Sequence, residues 1–526
     1  MARDTLSIAR GPRRRGKKEA PLPRVPNAQT VSGHALALER AKALYGAGRS
    51  VEARGVCETI LTGDPAHREA LYVLGIIHAR SKDFAAALPV FQVLTTLDPS
   101  HAGGWFHRGM ALIGLERFEE AADSLYRMTS ARPDDAMGHF WHGFALTCLG
   151  RYGAAAPVLA RAHALAPDHA EIHLSHATTL LWTGKAGEAM RHYKTLAHRH
   201  PASPPVRFSE GVAHLLLGEY AEGLPLHEWR AKLGNNAARP EFAASSRWSR
   251  AAEHKGKIVL LHGDGGLGDA IQFCRYAPLI AAAGAEVRLV VPDPLVRLLR
   301  GLPGIGGISG ENAPLPPFDV HCPLMSLPHA FGATLETIPA TVPYLWPRGE
   351  AVEMWKTRLA GLPGTRVGLV WAAGARSGVP IAEAFSRRKS MTLAALAPLA
   401  AVPGINFVSL QLGPEAKQAR HPPPGLAVHD VTDRITDFED TAAIVANLDL
   451  VITVDTAVAH LAGAMGRPVW LMNLFDTDWR WLLDREDSPW YPTLRIFRQP
   501  ASGDWASVAR AVAAALRAFT PDRRGA

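Results

Sequence analysis

The run Gly263-Asp-Gly-Gly-Leu-Gly268, followed at once by Asp269, joins an apolar strand to a helix and sets a carboxylate at the mouth of a glycine-rich loop. Read as G-x-G-x-x-G, it is either a dinucleotide fingerprint or a tight strand-to-helix turn. Asp293, near the end of the next strand, could hold a ribose hydroxyl and speaks for the dinucleotide. Asp269 speaks against it, because a carboxylate at the helix N-terminus repels the pyrophosphate that would sit there. The same carboxylate is well placed to receive a proton from a substrate, since the loop glycines leave the backbone open to one. A second constellation lies at Asp455-Thr456, where the apolar run Val451–Val454 meets a helix whose free N–H groups attract phosphate oxygens. Thr456 adds a hydroxyl, although either residue could serve only as a helix cap. His460, about one turn along, is as readily a hydrogen-bonded core residue as a ligand.

Positioning these residues requires short buried strands that alternate with helices. Lys257–His262 reads as a strand, residues 269–283 as a helix, and Glu286–Val291 as a second strand, which together open a βαβ series. A second series starts at Arg366–Trp371 and continues through Asn406–Gln411, Leu450–Val454 and Pro468–Met472. Two doubly wound α/β halves facing each other are implied. The proline-broken stretch Ile338–Pro347 is the crossover between them and a candidate hinge, and an amphipathic helix from about Asp504 to Phe519 is expected to pack back across the cleft.

Ahead of these halves the chain is periodic. Pro65, Pro99, Pro133, Pro167 and Pro201 recur at a constant spacing of 34 residues. Twelve residues before them stand Ala53, Ala87, Ala121, Ala155 and Ala189, and 24 before them Ala41, Gly75, Gly109, Gly143 and Ala177. Small residues at fixed places let two helices approach closely, and with the closing proline the unit resembles the tetratricopeptide repeat. Leu74, Phe91, Trp105 and Tyr193 fall on the large apolar positions of that repeat, whereas Arg40, Arg108, His139 and His173 depart from it. A sixth unit begins near Pro205, carries Gly211 and Gly218 in register, and runs to Arg230 without a closing proline, as if the array caps onto the next domain.

Composition fits this division. The chain has 526 residues, too many for one core, with 47% apolar residues. Most of the net charge of +8 sits in residues 1–25, where eight Lys/Arg face only Asp4 and Glu19. Such a Pro-rich basic tail reads as a disordered, solvated leader, and nothing in the body forms a phosphate-backbone track, so no nucleic-acid partner is expected. No apolar signal segment or membrane-length run occurs, which predicts a soluble cytoplasmic protein. Cys57, Cys148, Cys274 and Cys322 lack metal or disulfide spacing and are expected in the core.

Taken together, Gly266-Leu-Gly-Asp-Ala-Ile-Gln-Phe-Cys-Arg-Tyr276, Val367-Gly-Leu-Val-Trp371, Asp455-Thr-Ala-Val-Ala-His-Leu-Ala462 and Trp479-Arg-Trp-Leu-Leu resemble one family. It is that of bacterial tetratricopeptide-repeat glycosyltransferases, some of which modify flagellin, with a heptosyltransferase-like catalytic part. The likeness runs over about residues 35–518. It implies an α-solenoid followed by a GT-B fold of two doubly wound Rossmann-like halves, with no cofactor and no metal. The expected order is a basic tail at 1–30, repeats at 31–235, a linker at 236–256, an acceptor-side half at 257–345 and a nucleotide-sugar half at 346–520. By position, the resemblance makes Asp269 the general base and gives the acceptor-side loop as Gly265, Gly266, Gly268 and Gln272. The donor would be held by Lys389, Asp455, Thr456, His460 and Gly374, with Phe438 facing the base.

Lys389 would neutralise the departing diphosphate, while its neighbour Arg388 reads better as part of a solvated loop. Asp264-Gly265 stands where the family has Glu-Gln, and Ala373-Gly374-Ala375 where it has Gly-Asn-Pro. Asp476-Thr-Asp478 looks like the metal motif of the other glycosyltransferase architecture, but its place after the strand Pro468–Met472 makes chance the better explanation. Trp479, Trp481, Trp490 and Tyr491 read as packing for that loop. The expected activity is inverting transfer of a sugar from a nucleotide-sugar to a protein, with flagellin as the acceptor the resemblance suggests, because a five- to six-unit solenoid offers a long surface suited to polypeptide. Rival readings are a heptosyltransferase acting on a lipid-linked glycan, a non-catalytic repeat adaptor and, more distantly, a dinucleotide oxidoreductase.

Overall fold

The structure, a computed structural model, describes residues 28–233, 240–243, 245–248, 254–374 and 380–521. Most of the expected basic tail, much of the expected linker, and Ala375 lie outside the described residues. The chain divides after Leu115 into two compact units. The first is all helical: α1 (Ala28–Gly46), α2 (Ser50–Gly63), α3 (Arg68–Arg80), α4 (Phe84–Leu97) and α5 (Ala102–Gly114). The second opens with seven more helices, α6 (Phe118–Ala131), α7 (Ala136–Cys148), α8 (Tyr152–Leu165), α9 (Ala170–Trp182), α10 (Ala186–Arg199), α11 (Pro204–Leu216) and α12 (Tyr220–His227). The periodic prolines explain where helices end. Pro65, Pro99, Pro133, Pro167 and Pro201 each stand two residues past the last residue of α2, α4, α6, α8 and α10, where a residue without an N–H cannot extend the helix.

The periodic small residues explain how closely the helices meet. A Cβ on Gly75 of α3 would stand 2.6 Å from the Phe91 ring of α4, and one on Gly143 of α7 would stand 2.4 Å from Leu159 of α8. Ala53, Ala87, Ala121, Ala155, Ala177 and Ala189 are all fully buried. Past the array, α13 (Pro240–Ala243) leads to a sheet of β1 (Ile258–His262), β2 (Glu286–Val291), β3 (Ile305–Gly310) and β4 (Val320–Pro323). All four run parallel in the order β3-β2-β1-β4. α14 (Leu267–Phe273) and α15 (Ala277–Ala282) join β1 to β2, α16 (Val296–Leu299) precedes β3, and α17 (Leu327–Ala330) follows β4. The helix expected over 269–283 is thus two, broken at the turn Cys274–Tyr276. Pro278 cannot donate to the carbonyl of Cys274, and buried Arg275 turns inward to donate to the carbonyls of Gln272, Pro339 and Trp490.

α18 (Gly349–Arg358) leads into the second sheet, whose strands are β5 (Thr365–Val370), β6 (Ile405–Ser409), β7 (Val428–Asp430), β8 (Leu450–Val454), β9 (Val469–Asn473) and β10 (Leu494–Arg498). They are parallel in the order β10-β9-β8-β5-β6-β7. Its helices are α19 (Pro380–Arg388), α20 (Phe438–Ala446), α21 (Ala457–Ala464) and α22 (Trp505–Arg517). Strands buried on both faces must be apolar throughout, and β8 and β9 have every residue buried. Renumbered from their own first strands, the sheets read 3-2-1-4 and 3-2-1-4-5-6, the doubly wound pattern of a GT-B fold, with a switch point between β1 and β4 and another between β5 and β8. α22 does not reach across to the first sheet's core: Val508, Ala509, Val512 and Leu516 sit in one core with Ile452, Val454, Met472 and Phe497 of the second.

Close helix contact predicts opposite signs for two substitutions. Gly143→Ala should destabilise the protein by about 1–3 kcal/mol through overpacking against Leu159. Gly55→Ala, where a Cβ meets nothing within 4 Å, should stabilise it by up to about 1 kcal/mol from helix propensity. Thermal melting of both variants beside the parent checks the pair, and equal shifts would contradict the packing argument.

Candidate active site at the two switch points

Chains leaving the C-terminal ends of β5 and β8 diverge to opposite faces of the sheet, so a crevice opens between them. Into it β8 delivers Asp455 and Thr456. Thr456 is the N-cap of α21 in extended conformation, yet its hydroxyl meets Thr453 Oγ1 at 3.1 Å instead of capping the helix amides. Asp455 does not cap either: its carboxylate is ion-paired with the ammonium of Lys389, which follows α19. The loop after β5 is pinned by Gln411, whose Oε1 accepts from the N–H groups of Trp371 (3.0 Å) and Ala372 (2.8 Å). Beyond it Gly374 is exposed, with open space where a side chain would stand.

Across the cleft, the loop after β1 has two carboxylates with different fates. Asp264 is turned away from the cleft: it accepts from the buried guanidinium of Arg230 at 2.7 Å and from the Met325 N–H at 3.1 Å. Burial raises its carboxyl despite that cation. Asp269 faces the other way and accepts the Gly266 N–H at 2.6 Å. A Cβ on Gly265 would lie 2.4 Å from Asp269 Oδ2 and 2.8 Å from Met325 Sδ, so this carboxylate position requires glycine at 265.

What brings the two sides together is Arg480, in the turn Trp479–Trp481. The residue is 7% exposed, and its guanidinium donates to Asp269 Oδ1 (2.6 Å), to Gln272 Oε1 (2.8 Å) and to Asp478 Oδ1 (2.9 Å). Burial opposes ionisation of Asp478, but Arg480 and Lys389 hold its carboxyl down to about 2. Beneath this network α14 lies on α21, and a Cβ on Gly268 would stand 2.7 Å from the His460 ring. Gly268 therefore serves helix contact. His460 is a core residue: its Nδ1 lies 3.0 Å from the Tyr491 hydroxyl and its ring stacks on Trp481. Burial lowers its pKa to about 4, with Asp455, Arg480, Asp269 and Asp478 as the charges around it.

Of the residues singled out from sequence, the structure gathers Asp269, Gln272, Lys389, Asp455, Thr456 and His460 around one charged cluster, with Gly265, Gly266 and Gly268 shaping its edge. Phe438 does not face a base: it is buried in the core at the first turn of α20, because Asp437 caps that helix and turns the ring inward. Arg388 is no solvated loop residue either. It ends α19, pairs with buried Asp476 and lies 4.3 Å over the Tyr152 ring. Asp476 and Asp478 are thus each taken by an arginine. Arg480 and Gln411 are the residues that sequence reasoning missed as site components.

Comparison with known proteins finds likenesses in both parts of the chain. Residues 38–102, 74–139 and 149–223 match models of the tetratricopeptide repeat, and residues 414–472 match that of glycosyltransferase family 9 (heptosyltransferase). The latter stretch runs from before β7 to β9 and includes Asp455, Thr456 and His460. Protein FlbA of Caulobacter vibrioides is 29% identical over 351 residues, 61% of this chain and 57% of its own length. The chain therefore spans little more than half of that relative. Among solved structures, YrrB, a repeat protein described with an unusual peptide-binding site, is 16% identical with a TM-score of 0.32, over 34% of this chain and 93% of its own. MamA of Desulfovibrio magneticus is 20% identical with a TM-score of 0.30, over 32% and 97%. The chain combines tetratricopeptide repeats with a heptosyltransferase-like α/β part.

Two measurements probe the cluster. Arg480→Met leaves Asp269 and Asp478 facing each other without their shared cation and should cost about 3–5 kcal/mol, read as a lower Tm. For His460, whose folded pKa of about 4 lies below its ordinary 6.5, the stabilising contribution is complete above about pH 6.5. It is lost as pH falls from there toward 4, because only the unfolded chain takes up the proton. His460→Gln should make the decline of Tm with acid shallower over that window by close to one proton.

Proposed function

We propose that the protein is a glycosyltransferase that moves a sugar from a nucleotide-sugar donor to a protein acceptor held by the repeats, with inversion and without a metal ion. The observation that carries this reading is the meeting of Asp269, from the β1–β4 switch point, with the Lys389, Asp455 and Thr456 group at the β5–β8 switch point. Donor phosphates are placed at the N-terminus of α21, with the Thr456 hydroxyl and Lys389 supplying a hydrogen bond and a positive charge. Asp455 then exchanges part of its ion pair for sugar hydroxyls. An acceptor hydroxyl attacks the anomeric carbon from the face opposite the diphosphate. The new C–O bond forms as the bond to the phosphate oxygen breaks, Asp269 takes the hydroxyl proton, and Lys389 neutralises the departing nucleoside diphosphate. Arg480 and the Gly266 N–H hold the base in place. Flagellin is the acceptor to try first, and the cytoplasm the proposed place of reaction. Among the described residues no helix is long and apolar enough to cross a membrane.

A glycan acceptor is the second reading, favoured by the heptosyltransferase description of the family matched over residues 414–472. Intact-mass measurement of flagellin co-expressed with the protein, alongside assays on lipid-linked glycan, separates the two: a hexose- or heptose-sized mass increase supports the protein acceptor, and transfer to glycan alone supports the second. Asp269→Asn, which removes the carboxylate and keeps one oxygen for either the Gly266 N–H or Arg480, should lower transfer by about 100-fold or more while leaving nucleoside diphosphate affinity nearly unchanged. Lys389→Ala should weaken that affinity by about 1–3 kcal/mol in calorimetry. Near-parental turnover in the first variant and unchanged binding in the second would refute the assignment.

A further inference from the structure

Three successive helices of the array each contribute an imidazole to one point. His163 of α8, His173 of α9 and His192 of α10 carry ring nitrogens that all lie within 4.8 Å of one another. His173 Nε2 is 2.9 Å from His192 Nδ1, and the His163 ring stacks on His173 at 4.2 Å between centroids. His176, one turn along α9, brings a fourth ring 5.2 Å from His163 and 5.0 Å from His192. The Nδ1 atoms of His163 and His176 are buried without a hydrogen-bond partner. A buried polar nitrogen left unpaired costs free energy, so a cluster holding two of them calls for something that accepts lone pairs.

We propose that His163, His173 and His192 bind one divalent transition-metal ion of the zinc, cobalt or nickel type, with His176 or water as the fourth ligand. All-imidazole donors suit these borderline ions and not calcium or magnesium, which require oxygen. Around such an ion, nitrogens at about 2.0–2.1 Å from the metal stand about 3.3 Å apart in a tetrahedron, a spacing the three rings reach when the His163 ring turns out of its stack on His173. The repeat period supplies an internal control. One period earlier, His139 and His142 occupy the places of His173 and His176, but Thr129 and Val158 stand where His163 and His192 do. One period later the four places hold Ala197, Arg207, Glu210 and Leu226. The site belongs to one interface of the array, and an ion there would tie α8, α9 and α10 to one another.

Untagged full-length protein, stripped with chelator, tests this by calorimetric titration with zinc chloride and by the visible spectrum with cobalt chloride. One zinc per chain at about micromolar affinity or tighter is expected, with cobalt absorption of a low-coordinate nitrogen site and a zinc-dependent rise in Tm. His173→Gln should weaken binding about 100-fold or more, since loss even of outer-shell partners costs 10–100-fold, while His139→Gln should leave it unchanged. His192→Asn and His163→Asn alter half-buried rings and carry the test should His173→Gln fail to fold. No stoichiometric zinc, or binding that survives His163→Asn and His192→Asn, overturns the proposal.

Discussion

The arrangement depends on a guanidinium taken out of water. A buried arginine is tolerable only when its donors are met by acceptors that bear enough negative charge, because desolvation otherwise exceeds the Coulombic return. Arg480 meets that condition by reaching Asp478 beside it and Asp269 and Gln272 on α14, more than 200 residues earlier. The acceptors come from both sheets. The cleft walls therefore cannot be positioned independently, and the carboxylate of Asp269, the proposed base, is set by a cation from the opposite wall.

This constraint accounts for features that look unrelated. Gly268 lets α14, the helix that carries Asp269 and Gln272 to Arg480, settle against His460. Trp479, Trp481, Trp490 and Tyr491 are buried around the same turn and exclude water from it. Tyr344, in the crossover, donates its hydroxyl to the Ile271 carbonyl and accepts from Arg275, while its N–H bonds the C-terminal end of α21. The crossover is thus fastened to both sheets' helices.

Features encoded locally were legible in the sequence. The 34-residue period, the closing prolines and the strands that flank Asp269 and Asp455 depend on spacing within tens of residues. What escaped depends on distant partners. β3, β4, β7 and β10 are short or rich in glycine and polar residues, as Ile305-Gly-Gly-Ile-Ser-Gly310 illustrates, and owe their pairing to the neighbouring strand. Arg480 stands inside a recognisable motif, yet nothing in Trp479-Arg-Trp481 tells which acids it reaches. Arg388 and Phe438 were misplaced for the same reason: a solvated arginine and a core arginine share one sequence, and a ring before a helix gives no sign of which way the cap will turn it.

Arg230 carries a last consequence. It lies at the end of the repeats, just past α12, yet it neutralises Asp264 in the loop after β1 and also holds Ser326 beyond β4. A boundary drawn by composition near residue 257 would sever that contact and leave a buried acid without its counter-ion. The unit that keeps Asp264 paired is then not the fold a topologist would cut out, but that fold together with its last two repeat helices and the turn that bears Arg230.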